Sequence, residues 1–222
     1  TLEMKYSDFP FIMMQTFLEK KYNKTLDIVV KERIFDKMNL KRTMFNPNKN
    51  SSLHDNIVPS EIDNYFRNQE LKGYVHDMAA AMLGGIAGHA GLFSNSFEVA
   101  SLMQMYLNKG NYDGKNFFSS ETFEKFNNCI YCHNGNRRGV GFDKPQIEGS
   151  GSTCGCLSSD SFGHSGFTGT YAWADPEEKI IYVFLSNRTY PSMDNTLLID
   201  HSIRTRIQKI IYDSILIKKN KN

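Results

Sequence analysis

Residues Ser161–Asn187 run SFGHSGFTGTYAWADPEEKIIYVFLSN. Thr170-Tyr171-Ala172-Trp173-Ala174 alternates in polarity and stops at Asp175-Pro176, while Lys179–Leu185 is rich in Ile, Tyr, Val and Phe, as strands are. The DPEEK between them is turn chemistry, so the two form a hairpin. Phe162–Gly166 reads as a further strand directly before it. The same residues raise a chemical question, because Gly163-His164-Ser165-Gly166 is one residue short of the G-x-S-x-G elbow that presents a nucleophilic serine. That elbow needs a glycine two places to either side of the serine and a helix after it. Here the second glycine falls at 166 and a strand follows, which argues against Ser165 as a nucleophile.

Outward from this hairpin the pattern is helical. Phe9–Tyr22 carries Phe11, Met14, Phe17 and Leu18 at helical spacing, with Asp8 placed as an N-cap and Pro10 in the first turn. Thr25 is placed to cap a second helix through about Met38, with Leu26, Val29, Val30, Ile34 and Phe35 on one face. Asn46–Asp77 is polar and aperiodic and reads as a long loop. Met78–Phe93 is small and Gly-rich, without the order of a dinucleotide fingerprint. Helices follow at Ser96–Leu107 and from Ser119 or Ser120 to about Asn127; Asn128–Asp160 is loop-rich, and a last helix spans about Asn195–Ile217. Helices, loops, antiparallel strands and a terminal helix make an α+β chain. Three strands are few for this length, and more are expected to complete the sheet.

With 222 residues, 40% apolar and 13% aromatic, the chain has material for one globular domain. A net charge of +2 offers nothing to a nucleic acid or an anionic membrane. No apolar run approaches the roughly 18 residues of a membrane span, and no signal peptide opens the sequence. Thr1-Leu2-Glu3 runs at once into patterned sequence, so the chain is expected to begin inside a domain. Cys129, Cys132, Cys154 and Cys156 form C-x-x-C and C-x-C pairs in the loop-rich region. Zinc, disulfides and free thiols all remain open, and Cys129–His133 also fits a haem-attachment pattern that nothing else accompanies.

Tyr6-Ser7-Asp8 before a helix and His164-Ser165-Gly166 on a strand resemble, in order and context, the second and third motifs of the serine β-lactamase and penicillin-binding-protein superfamily, specifically its class C-like hydrolases and esterases. YNKTLDIVVKERIFDKMNLKRTMF, GHAGLFSNSFEVASLMQMYLNKG and FTGTYAWADPEEKIIYVFLSNR are similar to further segments of that family, so the resemblance covers nearly the whole chain. It implies a β-lactamase/transpeptidase-like fold over 1–222, helical and looped to about 160, with sheet and terminal helix over about 161–218. Two departures stand out. The family's nucleophile lies in an upstream Ser-x-x-Lys motif, and no serine here has a lysine three residues later. Asp8 also replaces the usual asparagine. The N-terminal part of the fold is therefore expected to be missing from this sequence, as a partner supplied by the same domain.

The resemblance assigns roles. Tyr6, with the upstream lysine, relays the proton when the upstream serine attacks an amide or ester carbonyl. His164 lines the site, and the Phe167 amide is one half of an oxyanion hole, a donor worth ~3–4 kcal/mol in comparable sites. On the substrate side are Asp8, Ser165, Gly166 (where substrate approaches the strand) and His89 of the AGHAG stretch. Neither cofactor nor metal is implied. VHDMAAAMLGGIAGHAGLFS and RRGVGFDKP are similar to a subgroup that is often exported and sometimes fused behind a family-3 β-N-acetylglucosaminidase. That company implies muropeptide-like substrates, a preceding glycoside hydrolase domain, and a periplasmic or extracellular location. Two competing readings are a non-catalytic accessory module of the same fold, holding a peptide or glycan, and a zinc-dependent domain built on the cysteines.

Overall fold

The computed structural model describes residues 5–49, 51–146 and 151–219. They group into a helix-and-loop unit, residues 5–98 with 187–195, and a sheet unit, residues 99–186 with 196–219.

In the helix-and-loop unit, α1 (Phe9–Tyr22) has the limits its spacing predicts and ends on a left-handed Asn23. Its entry differs from expectation: Asp8 is itself helical, with φ −78° and ψ −21°, and its side chain makes no capping bond. The Ser7 hydroxyl instead accepts from the Phe9 amide at 3.2 Å. No α1 residue is fully buried, and Phe9, Met13, Met14 and Phe17 are largely exposed. The second expected helix forms in three pieces, α2 (Leu26–Val30), a π turn (Lys31–Phe35) and α3 (Asp36–Met38), whose Leu26, Val29, Phe35 and Met38 are buried. Two small antiparallel ladders appear where no strand signal exists, β1 (Met44–Phe45) with β4 (Leu92–Phe93) and β2 (Ile62–Asp63) with β3 (Gln69–Glu70). Side-chain bonds hold the long loop in place: Thr189 donates to the Ser60 carbonyl, and Asn187 donates to those of Val58 and Pro59. Between the ladders, α4 (Met78–Met82) is capped by Asp77, which accepts from the Ala80 amide at 2.7 Å.

The sheet unit contains the expected hairpin. β7 (Phe162–Ser165), β8 (Tyr171–Asp175) and β9 (Ile180–Phe184) form one antiparallel sheet in that order. Asp175 closes the β8–β9 turn by accepting from the Glu177 and Glu178 amides. Both faces of the sheet are covered, which explains the unbroken burial of Trp173, Ala174 and Asp175. Phe162, Ala172 and Ala174 pack on Met103 of α5 (Ser96–Leu107) and Phe123 of α6 (Ser120–Asn127). Tyr171, Trp173 and Tyr182 pack on the other side against Ile211 of α8 (Ile203–Lys219). The small hairpin of β5 (Asn111–Tyr112) and β6 (Lys115–Asn116) connects α5 to α6, and the short α7 (Leu197–Asp200) precedes α8. The sheet expected to be covered by one helix has both faces covered, by α8 on one side and by α5 and α6 on the other, and among the described residues only the Asp143 bridge extends its three strands.

Candidate functional site

β7 is an outer strand, and among the described residues its far edge is paired at Gly163 alone. Asp143 exchanges two backbone hydrogen bonds with Gly163, at 2.8 and 3.1 Å, and adds a one-residue fourth row beside it. Two residues on, the backbone of Ser165 faces the same edge, because strand backbones alternate with period two. The pleat also separates neighbouring side chains. His164 lies opposite Ala172 on the α5/α6 face, and Ser165 lies opposite Tyr171 on the α8 face. Gly163 is small because the Trp173 ring and the Ala172 carbonyl occupy the place of a side chain. Gly166 is small for a related reason: a Cβ there would meet the Thr170 hydroxyl across the tight turn in which the Gly166 amide donates to the Thr170 carbonyl. A local packing need therefore already accounts for this glycine. Phe167 follows in the turn, its side chain 62% exposed.

His164 is half-buried, and its ring is hydrogen-bonded through Nδ1. Nδ1 donates to the Ser165 carbonyl at 2.7 Å. Nε2 faces the Asp143 carboxylate, with Oδ2 at 3.8 Å. The other carboxylate oxygen of Asp143 takes the Arg138 guanidinium at 2.8 Å. Sequence reasoning missed Asp143 and Arg138. Both lie in the RRGVGFDKP stretch, where two charged residues flank a short apolar run, but nothing there shows which strand they will meet. Beside them, Lys144 is buried and donates to Asn127 Oδ1 and the Asp160 carbonyl. Burial pulls its ammonium down to about 8 against the pull of Asp160 and Glu124.

Tyr6, Asp8 and His89 belong to the helix-and-loop unit. Tyr6 stands just before α1, 61% exposed. His89 is its opposite, with a side chain 3% exposed and Nε2 at 2.9 Å from Asp77 Oδ1. Burial raises the Asp77 carboxyl, but the Ala80 amide and His89 outweigh it and hold the group below its ordinary value. His89 also lines an apolar cleft of about 330 Å³ with Phe11, Met14, Leu18, Phe35 and Leu92. Its Nδ1 meets no hydrogen-bonding partner among the described residues.

The cysteines are paired, Cys129 with Cys132 and Cys154 with Cys156. None is free to ligate zinc or to take up haem, and no cluster of His, Cys, Asp and Glu suited to a metal occurs among the described residues. None of the described helices is long and apolar enough to cross a membrane.

A family model described as Beta-lactamase matches residues 2–202. A protein of Escherichia coli K12, provisionally named a D-alanyl-D-alanine carboxypeptidase, is 32% identical over 200 residues, covering 83% of this chain and 45% of that protein. The chain therefore spans about half the length of the curated relatives it matches. Two solved structures share the fold. One, described as a hydrolase with promiscuous acyltransferase activity, has a TM-score of 0.60 at 16% identity over 84% of this chain and 51% of its own. The other, a β-lactamase from Mycobacterium bovis, has a TM-score of 0.56 at 15% identity over 88% and 63%.

Proposed function

The chain belongs to the Beta-lactamase family of serine hydrolases, and we propose that it carries two of the three motifs of an acyl-enzyme site. Tyr6-Ser7-Asp8 is the second motif and His164-Ser165-Gly166 the third. The observation that carries this reading is the end of β7: an outer strand, paired on its far side only at Gly163 among the described residues, that delivers His164 and Ser165 and turns immediately into Phe167. Such an edge can take up an extended acyl substrate by strand addition, and the Phe167 amide is the candidate oxyanion donor. The attacking serine belongs to a Ser-x-x-Lys motif outside these 222 residues, since no serine within them has that partner. On this reading the 222 residues alone are inactive. Tyr6 shares the proton relay with that motif's lysine, and Asp8 meets the lysine as an ion pair where an amide is usual. His89 lies on the substrate side of the helix-and-loop unit.

The substrates are amides or esters derived from the bacterial cell wall, in keeping with the provisional name of the Escherichia coli relative. Action in the periplasm or outside the cell fits the two disulfides, which persist in oxidising compartments. The test is acylation of the whole gene product by a fluorophosphonate or penicillin probe. Label is expected on a serine outside this sequence, and Tyr6→Phe or His164→Ala should slow labelling by about 100-fold. Label on Ser165 would overturn the assignment. Absence of label in a protein that still binds muropeptides would instead establish an accessory module.

A further inference from the structure

We infer that Gly141 is a positioning residue for substrate: the turn it makes with Val140 ends the row beside β7 after one pair, and leaves the Ser165 N–H as the donor for a carbonyl oxygen of an extended acyl or peptidyl chain. The inference rests on the acyl-site reading above for its consequence, though not for its geometry. Asp143 and Gly163 exchange both backbone hydrogen bonds in antiparallel register. Continued by two residues on each side, that register brings Gly141 opposite Ser165. No such pair forms among the described residues. Asp143 belongs instead to the second arm of a tight hairpin. It bridges Arg138, the Lys144 amide donates to the Arg137 carbonyl at 2.8 Å, and the Gly139 amide donates to the Phe142 carbonyl at 2.9 Å. Val140 and Gly141 are the two residues left to make the turn, so the chain reverses before the row can reach Ser165.

Two features keep the turn at this place. Gly141 has φ +112°, which L side chains rarely adopt, and a Cβ on it would meet nothing within 4 Å. Backbone conformation rather than crowding is thus what calls for glycine. The Val140 amide donates to the Phe126 carbonyl of α6 at 2.7 Å and ties the tip to that helix. A Cβ on Gly139 would run into the same carbonyl. The consequence falls on Ser165. Its carbonyl already accepts from His164 Nδ1 at 2.7 Å, whereas its amide meets no acceptor among the described residues. The amide points to the outer edge, because Gly163 two residues earlier does so and strand backbones alternate. β7 therefore offers an arriving chain a donor at this point, and the group that matches it is a carbonyl oxygen. A row longer by one pair would take that donor for itself.

Amide-proton exchange of the 222-residue chain, read residue by residue by NMR, tests the open edge. The Ser165 amide should exchange about 100-fold faster than the Gly163 amide, which the row protects. Gly141→Val imposes extended backbone where the turn belongs, lengthens the row and should slow Ser165 about tenfold, the effect of one hydrogen bond. Gly141→Asn, which tolerates positive φ, should leave Ser165 fast. A protected Ser165 in the parent chain overturns the inference even if Gly141→Val fails to fold, and so does unchanged exchange in a folded Gly141→Val. The consequence for substrate is read on the whole gene product, as the preference for an N-acetyl-dialanyl thioester over p-nitrophenyl acetate, which is too short to lie along the edge. Gly141→Val should lower that preference about tenfold, through KM rather than kcat. Equal losses on both substrates would mark a general loosening of the fold and overturn the positioning role. If the parent protein turns over neither substrate, the acyl-site reading fails, while exchange at Ser165 still decides whether the turn holds the edge open.

Discussion

Asp63 lies in a stretch whose sequence has no periodicity, and it is fully buried. Burial alone would raise its carboxyl, but Arg67 Nε at 2.8 Å and the amides of Phe66 and Tyr65 outweigh that and draw it from an ordinary 3.8 down to about 2. A carboxyl lower in the folded than in the unfolded chain contributes its stability above the unfolded value. That contribution is lost as pH falls from 3.8 towards about 2. Asp63→Ala should therefore lower stability at neutral pH by about 2 kcal/mol, since the Tyr65 and Phe66 amides lose their acceptor and Arg67, which keeps the Val75 and His76 carbonyls, loses its carboxylate. It should also flatten the loss of stability across that acid window, as read by urea melts followed by far-ultraviolet circular dichroism. No sequence signal marked Asp63, because the Arg67 side chain and the two amides converge on it only when the loop is folded. His89 illustrates the converse: its AGHAG setting was legible, but its tie to Asp77 and its near-complete burial were not.

Elements were legible where local chemistry decides them. Ser119 begins α6 as a capping residue should, accepting from the Thr122 amide at 3.1 Å. Ser119→Ala should cost about 1 kcal/mol. Trp173, the sole tryptophan, is 1% exposed in the same unit and reports that loss as an earlier shift of fluorescence in urea. The cost should spread to the sheet, because Phe123 of α6 stacks edge-on against Phe162 of β7 at 5.3 Å. α1 shows where such legibility ends. Its 3.6-residue spacing fixes a helix over Phe9–Tyr22, yet Phe9, Met13, Met14 and Phe17 stay exposed in this structure. Periodicity reports which side chains share a face and says nothing of what covers them. The two-residue ladders of β1 with β4 and β2 with β3 were invisible for the same reason, since so short a run has no period to detect.

Across the whole molecule, cysteine chemistry is the sharpest example of a choice the sequence left open. Zinc, thiols and disulfides fitted C-x-x-C and C-x-C alike, and the fold brings the Cα atoms of each pair to 5.4 and 5.3 Å, inside the range a disulfide spans. Unreduced, denatured protein should thus show no thiol to Ellman's reagent, and reduction should release four. A zinc-loaded protein would give the opposite result and retain metal through dialysis. The sequence by itself determined the α+β class, the helices α1, α5 and α6 and the β7–β8–β9 hairpin sheet, because spacing, turn residues and alternation act over a few neighbours; the family was legible instead through the resemblance of Tyr6-Ser7-Asp8, His164-Ser165-Gly166 and the segments around them. Tertiary structure alone decided that both sheet faces are covered, that Gly166 yields to Thr170, and that Asp143 stands beside His164. Those outcomes depend on packing between residues distant in the chain or on the exact path of a turn, which no local pattern encodes.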